Sequence, residues 1–377
     1  MPQSKPQRVA LVHYWLVGMR GGEKVLEALC ELYPDADIYT HVYDPKKLSE
    51  RLLKHRIFTT FIAKLPNAKN WYQKYLPLMP LALEQLDLSA YDLIISSESG
   101  PAKGVITRPD AVHICYCHTP MRYLWDMYPS YLRSSGRVTR WLMRPFAHYL
   151  RFWDFASAAR VDYFIANSSY VAARIKKCYR RSAEVIFPPV AVEDFSATEE
   201  TGDYYLMVGQ LVNYKRAEIA VEAFNRLGKR LVVIGEGEQL TQLQNLAASN
   251  VEILGWQPFS EIRHHYRHCK ALIFPGIEDF GIVPLEAMAS GTPVIAFGQG
   301  GALDTVIDGV TGKLFHEQTA ESLCQAIDAF EQDTNVFKKE TLIDWANKFS
   351  RENFKSAIKT FIDSSILEST PKRIPKP

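Results

Sequence analysis

Residues 8–14 (RVALVHY) form a short run that is continuously apolar from Val9 to Val12. The glycine-punctuated stretch LVGMRGG follows, and EKVLEALCELYP then repeats apolar positions at helical spacing until Pro34. A strand buried on both faces, a loop and an amphipathic helix account for that order. Apolar runs recur at residues 36–44 (ADIYTHVYD), 91–99 (YDLIISSES) and 111–119 (AVHICYCHT). The second half repeats the pattern, with strands predicted at YYLMVGQ, RLVVIGEG, VEILGW, KALIFPG and TPVIAFGQGG and helices at EIAVEAFNRL and SEIRHHYRHC. Strands alternating with helices predict parallel sheets covered on both faces. Between the halves lies FPPVAVEDFSATEETGDY, residues 187–204, rich in Pro, Thr, Glu and Gly. The pattern therefore predicts an α/β chain of two doubly wound domains with a cleft between them. The expected boundary lies near residue 195, giving domains at 1–195 and 196–350. Residues 351–377 follow as a helix (SRENFKSAIKTFIDSSIL), expected to cross back to the first domain, and a Pro/Lys tail expected to be disordered.

The length of 377 residues agrees with two domains of ~150–200 residues each. Apolar residues make up 47% and charged residues 23%, the composition of a folded chain. A net charge of +2 argues against nucleic acid as a partner. Six scattered cysteines with no CxxC pair read as reduced core thiols, which points to the cytoplasm. The start, MPQSKPQ, is polar and has no signal-peptide character. No apolar run approaches the ~18 residues of a membrane span, so any membrane contact is expected to be peripheral.

In open α/β sheets, ligands bind beyond the carboxyl ends of the strands. In the second half those ends are rich in glycine, at 235–237, 255, 276–281 and 298–301. As a set they suggest close backbone approach to a ligand, although tight turns use the same residue. In PGIEDFGIVPLEAMASG, Pro284 suits a helix's first turn, which puts Gly281, Ile282 and Val283 at a helix N-terminus fit for a phosphate. Glu286 would then lie in the first turn, able to accept hydrogen bonds from a ribose diol, and Glu278 would lie at the strand exit. Hexose, phosphate and ribose in a row is the order of a nucleotide sugar. Spacing alone leaves an ordinary loop acid and a helix-dipole carboxylate equally open. In the first half, GMRGGEKV places Gly21 and Gly22 at a helix start without a GxGxxG or GK[ST] fingerprint. His118 ends a strand, and Lys215 is a candidate cation for phosphate; a core histidine and a solvated lysine are the plainer readings. Nothing supports a metal site, and Asp35-Ala36-Asp37 falls at a strand start, the wrong end for one.

Together these residues resemble the retaining glycosyltransferases of family 4, over essentially the whole chain. The E-x7-E element from Glu278 to Glu286 is the most specific feature. GGALDTVIDGVTGKLF and YYLMVGQLVNYKRAEIAVEAF add to it, and CHTPMRYLWD is similar to the mannosyltransferase-like branch of bacterial polysaccharide synthesis. The resemblance implies a GT-B fold, two Rossmann-like domains facing a central cleft. It implies no metal and no cofactor, with the nucleotide sugar as substrate. It further implies that His118, Lys215 and Glu278 serve catalysis: His118 contacts the transferred sugar, Lys215 neutralises the diphosphate, and Glu278 holds sugar hydroxyls. Gly21 and Gly22 would approach the diphosphate, Phe280, Gly281 and Ile282 would offer backbone N–H groups, Glu286 would bind the ribose, and Gly255-Trp256 would lie beside the base. In place of the family's usual arginine, five residues before Lys215, this chain has Gln210. Arg216 is the neighbouring cation that would make up the missing charge.

The implied reaction is front-face transfer with retention, from a UDP-glucose-type donor or GDP-mannose to a glycan, expected to be lipid-linked. Two other activities stay open: a nucleotide-sugar-binding partner subunit of low activity, and an epimerase or phosphorylase on the same fold. Residues 54–80 and 137–160 interleave Lys and Arg with Trp, Phe and Tyr, as an interfacial helix does; aromatics serving the core under a solvated charged face would look the same.

Overall fold

The computed structural model describes residues 8–134, 136–333 and 336–369, so the Pro/Lys tail lies outside the described residues. The chain divides into two compact units, residues 1–188 with 354–377, and residues 189–353.

In the first unit the strands are β1 (Val9–His13), β2 (Asp37–Thr40), β3 (Ile57–Thr59), β4 (Leu93–Glu98), β5 (Val112–Cys117), β6 (Tyr163–Ala166) and β7 (Glu184–Val185). They pair in the order β3-β2-β1-β4-β5-β6-β7, every pair parallel. Successive side chains of β1 enter different cores, as the two-residue period of a strand requires. Val9 and Leu11 join Leu26, Leu29 and the C-terminal Phe354, Ile358 and Ile362 on one face. Ala10 and Val12 join Leu150 and Trp153 of the helix Arg137–Ser157 on the other. A sheet covered on both sides has no solvated face, which is why its strands read as unbroken apolar runs.

A buried ion cluster ties that helix to the end of β4. The Lys103 ammonium donates to Glu98 at 2.8 Å and also to Asp154, which accepts from Trp125 Nε1 at 2.7 Å and from the Tyr179 hydroxyl. Every charge in the cluster has a partner, the condition for keeping ions in a dry interior.

In the second unit β8 (Tyr204–Val208), β9 (Arg230–Ile234), β10 (Val251–Gly255), β11 (Leu272–Phe274), β12 (Val294–Phe297) and β13 (Gly312–Phe315) form the order β10-β9-β8-β11-β12-β13, again all parallel. Each sheet reverses its winding once, between β1 and β4 and between β8 and β11. A ligand crevice is expected at those two points.

The sequence pattern does not reveal β3, β6, β7 and β13, which have two to four residues each and too little periodicity to register. The dividing line also differs. It falls between Pro188 and Pro189, short of Phe195, because Val190 is bonded to Phe349 (2.9 Å), and Val190 and Ser350 form a bridge. The C-terminal boundary lies at Phe354, where the last helix begins to bury its apolar positions in the first unit's core.

Candidate active site

Lys215 ends a short 3-10 turn, Asn213–Lys215, just beyond β8. Glu278 lies in the loop leaving β11, the strand beside β8. The winding reversal thus brings them together, and the ammonium lies 2.8 Å from Glu278 Oε1. Burial works against the lysine's charge, but Glu278, with Tyr214 and Glu286 adding to it, keeps the ammonium's pKa above its ordinary value. Lys215 is therefore a cation at any physiological pH. The next residue, Arg216, has φ +55°, a left-handed backbone that costs a non-glycine residue strain. Its guanidinium donates to Glu218 (2.5 Å) and Gln318 (3.5 Å), so it is engaged with those two partners. Gln210 is exposed.

The glycines at these strand ends have a structural reason that the sequence does not show. A Cβ on Gly235 would sit 1.8 Å from Gly209 O, and one on Gly301 would sit 2.2 Å from Phe280 O. The loops pack backbone against backbone, and that packing holds the Lys215 and Glu278 segments in place. Close approach to a ligand is not needed to explain these two glycines. Gly255 is different: nothing lies within 4 Å of its Cβ position, and its φ of +69° alone favours glycine there. Trp256 beside it is 66% exposed.

The helix Ile282–Ala289 starts from Gly281, at φ +95°. Its first N–H groups have no partner within the helix and carry the positive end of its dipole. The helix starts ahead of Pro284, so Glu286 lies in the second turn, one turn later than the sequence suggests. Its Oε2 accepts from the Tyr266 hydroxyl at 2.9 Å, which leaves Oε1 for another donor. Burial pushes its carboxyl pKa up, against the opposing pull of Tyr266 and Lys215. Phe280 turns its ring into the core, 5.9 Å from Phe349.

In the first unit, Gly21 and Gly22 open the helix Gly21–Leu32. A Cβ on Gly22 would lie 2.6 Å from the Tyr14 hydroxyl and 3.5 Å from His118 Nε2. His118 follows β5, and its Nε2 lies 2.8 Å from Ser97 Oγ on β4. Ser97 Oγ also meets His13 Nδ1 at 3.1 Å, at the end of β1. His13 Nε2 in turn lies 3.8 Å from Glu23 Oε1. This cluster sits at the winding reversal of the first sheet. Burial, with His13 adding to it, pulls the His118 pKa down to about 3, so the imidazole is neutral at pH 7. The strand-start acid Asp37 is taken up by Arg56 (2.7 and 2.8 Å) and Tyr91 (2.6 Å), as its place at the wrong end of the sheet suggests.

Comparison with known proteins matches nearly the whole described chain. Residues 19–194 fit the model of "Glycosyltransferase Family 4", and residues 192–348 fit that of "Glycosyl transferases group 1". The chain belongs to the family 4 glycosyltransferases. An alpha-1,3/1,6-mannosyltransferase of Kluyveromyces lactis is 24% identical over 98% of this glycosyltransferase and 87% of its own length. An uncharacterized glycosyltransferase of Methanocaldococcus jannaschii is 30% identical over 51% of this chain, which spans about half of that relative (55%). Among solved structures, the Anabaena protein HepE in complex with UDP superposes with a TM-score of 0.70 at 16% identity, covering 95% of this chain and all of that one (100%). That likeness carries the fold, which is GT-B: two Rossmann-like units with parallel sheets.

Four residues of the glycosyltransferase's polar sites escape the sequence reading: His13, Ser97, Glu23 and Tyr266. His13 is the last residue of β1, Ser97 the last but one of β4, and His118 follows β5, so the strand-end rule, applied to β1 and β4, would have found both. Glu23 is visible as the acid in a helix's first turn. Tyr266 leaves no such signal, because its hydroxyl reaches Glu286 from a different helix, Phe259–His268.

Proposed function

We propose that the chain transfers a hexose from a nucleoside diphosphate sugar to a growing glycan, with retention and without a metal. The Lys215–Glu278 pair, in the loops beside the open end of the helix Ile282–Ala289, carries this reading. Charge builds on the departing phosphate as the sugar–phosphate bond breaks. Lys215 and the helix N-terminus stabilise it there, where fixed donors act in a site largely closed to water. Glu278 holds sugar hydroxyls, and Glu286, oriented by Tyr266, receives the ribose. The leaving phosphate takes the acceptor's proton on the same face. Gly255 and Trp256 lie beside the base, and His118, with Gly21 and Gly22 near it in the first unit, is proposed as a contact of the transferred sugar.

The donor is a GDP-mannose or UDP-glucose type. The name of the K. lactis relative favours mannose, and the UDP bound to the Anabaena protein favours a uridine donor. One observation favours the second reading, a binding subunit of low activity. With Gln210 exposed and Arg216 bonded to Glu218 and Gln318, the diphosphate meets fewer cations than the usual clamp supplies. Release of nucleoside diphosphate, measured with and without a glycan acceptor, separates these readings. Acceptor-dependent release supports transfer. Release without acceptor points to epimerase- or phosphorylase-type chemistry, and no release points to a binding subunit; either contradicts the proposal.

The acceptor is lipid-linked and the chain works in the cytoplasm, peripherally at the membrane's inner face. The helix Arg137–Ser157 supports this. Ala147, Leu150 and Trp153 are buried, while Trp141 (74%) and Phe152 (73%) are exposed, with Tyr149 and Phe155 on the same side and Arg137 and Arg144 beside them. Apolar rings flanked by arginine fit an anionic interface. In residues 54–80, by contrast, Phe61, Tyr72 and Tyr75 pack on a small core with Ile62 and Met79. Among the described residues no helix is long and apolar enough to cross a membrane. Anionic vesicles are expected to sediment the chain at low salt, and Trp141→Ser with Phe152→Ser to release it. Binding that ignores those substitutions, or no binding, would count against the contact.

A further inference from the structure

We propose that Glu23 is a positioning residue: acting through His13 and Ser97, it fixes His118 as the tautomer that carries its proton on Nε2 and offers a bare Nδ1 to a hydroxyl of the transferred sugar. This rests on His118 being a sugar contact.

The direction of the chain of contacts follows from counting protons. Glu23 is held as a carboxylate. Burial favours its neutral acid, but contact with His13 and the N–H of Arg20, 3.0 Å from Oε2, outweigh that and keep its pKa below the usual value. A carboxylate 3.8 Å from His13 Nε2 attracts a proton onto that nitrogen. His13 is 1% exposed, and its Nε2 has no hydrogen-bond partner, so no other group competes for it. With His13 neutral, as the proposal requires, a proton on Nε2 leaves Nδ1 bare; an imidazolium would donate from both nitrogens and put the His118 proton on Nδ1 instead. Ser97 Oγ, 3.1 Å away, must then donate its one proton to His13. Its oxygen is left as an acceptor, and the group 2.8 Å away, His118 Nε2, must be the donor. His118 is neutral, so a proton on Nε2 leaves Nδ1 bare. The four groups come from β1, β4, the residue after β5 and the helix Gly21–Leu32, so the relay joins the reversal point of the sheet to the helix that starts with Gly21 and Gly22.

Glu23→Gln reverses the relay. The amide oxygen keeps the Arg20 N–H, and the amide NH2 now faces His13 Nε2. His13 must then donate from Nδ1, Ser97 must donate to His118, and His118 must carry its proton on Nδ1. The test is the ring 15N spectrum of the full chain labelled at its ten histidines, with His118 assigned by its loss in His118→Gln. Wild type should show His118 protonated at Nε2, Glu23→Gln should show it at Nδ1, and Ser97→Ala should show no single tautomer. In the transferase assay, Glu23→Gln should lower kcat about tenfold with a little-changed donor KM, the size of one hydrogen bond lost at the sugar. A wild-type His118 protonated at Nδ1, or a tautomer unmoved by both substitutions, overturns the proposal. The spectrum decides the relay even if no transfer is found, so its failure is distinct from failure of the transferase reading.

Discussion

Glu278→Ala is expected to lower transfer by at least about 100-fold, the scale of losing a group that positions a reacting centre, while leaving the chain folded. The fold survives because what Glu278 gives the structure is mostly backbone: its carbonyl accepts from Gly301 N at 2.8 Å, and alanine keeps that bond. The side chain itself is only one-fifth exposed, and its partner is Lys215. Removing it leaves the ammonium without its counter-ion, at a cost of about 1–3 kcal/mol in stability. The same change frees Lys215 for phosphate. Affinity for the nucleoside diphosphate product should therefore hold or rise while turnover collapses. Lys215→Ala should do the reverse, losing the diphosphate as well as turnover. Near-normal turnover in Glu278→Ala would remove its role as the sugar's holder.

Acid is the second strong lever, and it acts on the first unit. His41 and His113 are fully buried, and burial pulls the pKa of each from 6.5 down to about 4. Each is bonded as a neutral ring: His41 between Thr60 Oγ1 (3.0 Å) and Pro101 O (3.2 Å), His113 between Ser96 Oγ (2.9 Å) and Arg160 O (3.3 Å). The folded pKa lies below the unfolded one, so the stability they contribute is complete above pH 6.5 and is lost as pH falls toward 4. From these two rings the loss between pH 7.5 and 4.5 is on the order of 5 kcal/mol, a large share of a domain's stability. His118 acts in the same direction. Glu98 opposes it, because burial favours its acid form despite Lys103 beside it. Denaturant midpoints measured across this range should fall steeply below pH 6.5, and a flat profile would contradict the assignment.

The long apolar runs made both sheets legible, because a strand buried on two faces has no polar alternation to hide it. Four short strands were not: β7 with two residues, β3 with three, and β6 and β13 with four each. In the candidate site, spacing and family likeness single out Glu278, Glu286 and Lys215, a choice that the substitutions of Glu278 and Lys215 test. That Lys215 and Glu278 pair with each other was not legible, because a sequence does not say which strand ends adjoin. The same limit hid the backbone-on-backbone packing of Gly235 and Gly301, and the Tyr266–Glu286 bond. His13 and Ser97 lie in strands that read as core, although both sit at the carboxyl ends of β1 and β4, beside His118.

On the proposed function, the loops after β8 and β11 hold a nucleoside diphosphate sugar, with Lys215 on its phosphates. Calorimetric titration of UDP-glucose and GDP-mannose into the wild-type chain and into Lys215→Ala tests it directly. At least one donor should bind the wild type, and Lys215→Ala should bind that donor at least about 10-fold more weakly, as expected for a charge-assisted contact. Binding of neither donor to the wild type, or equal binding to both chains, would contradict it.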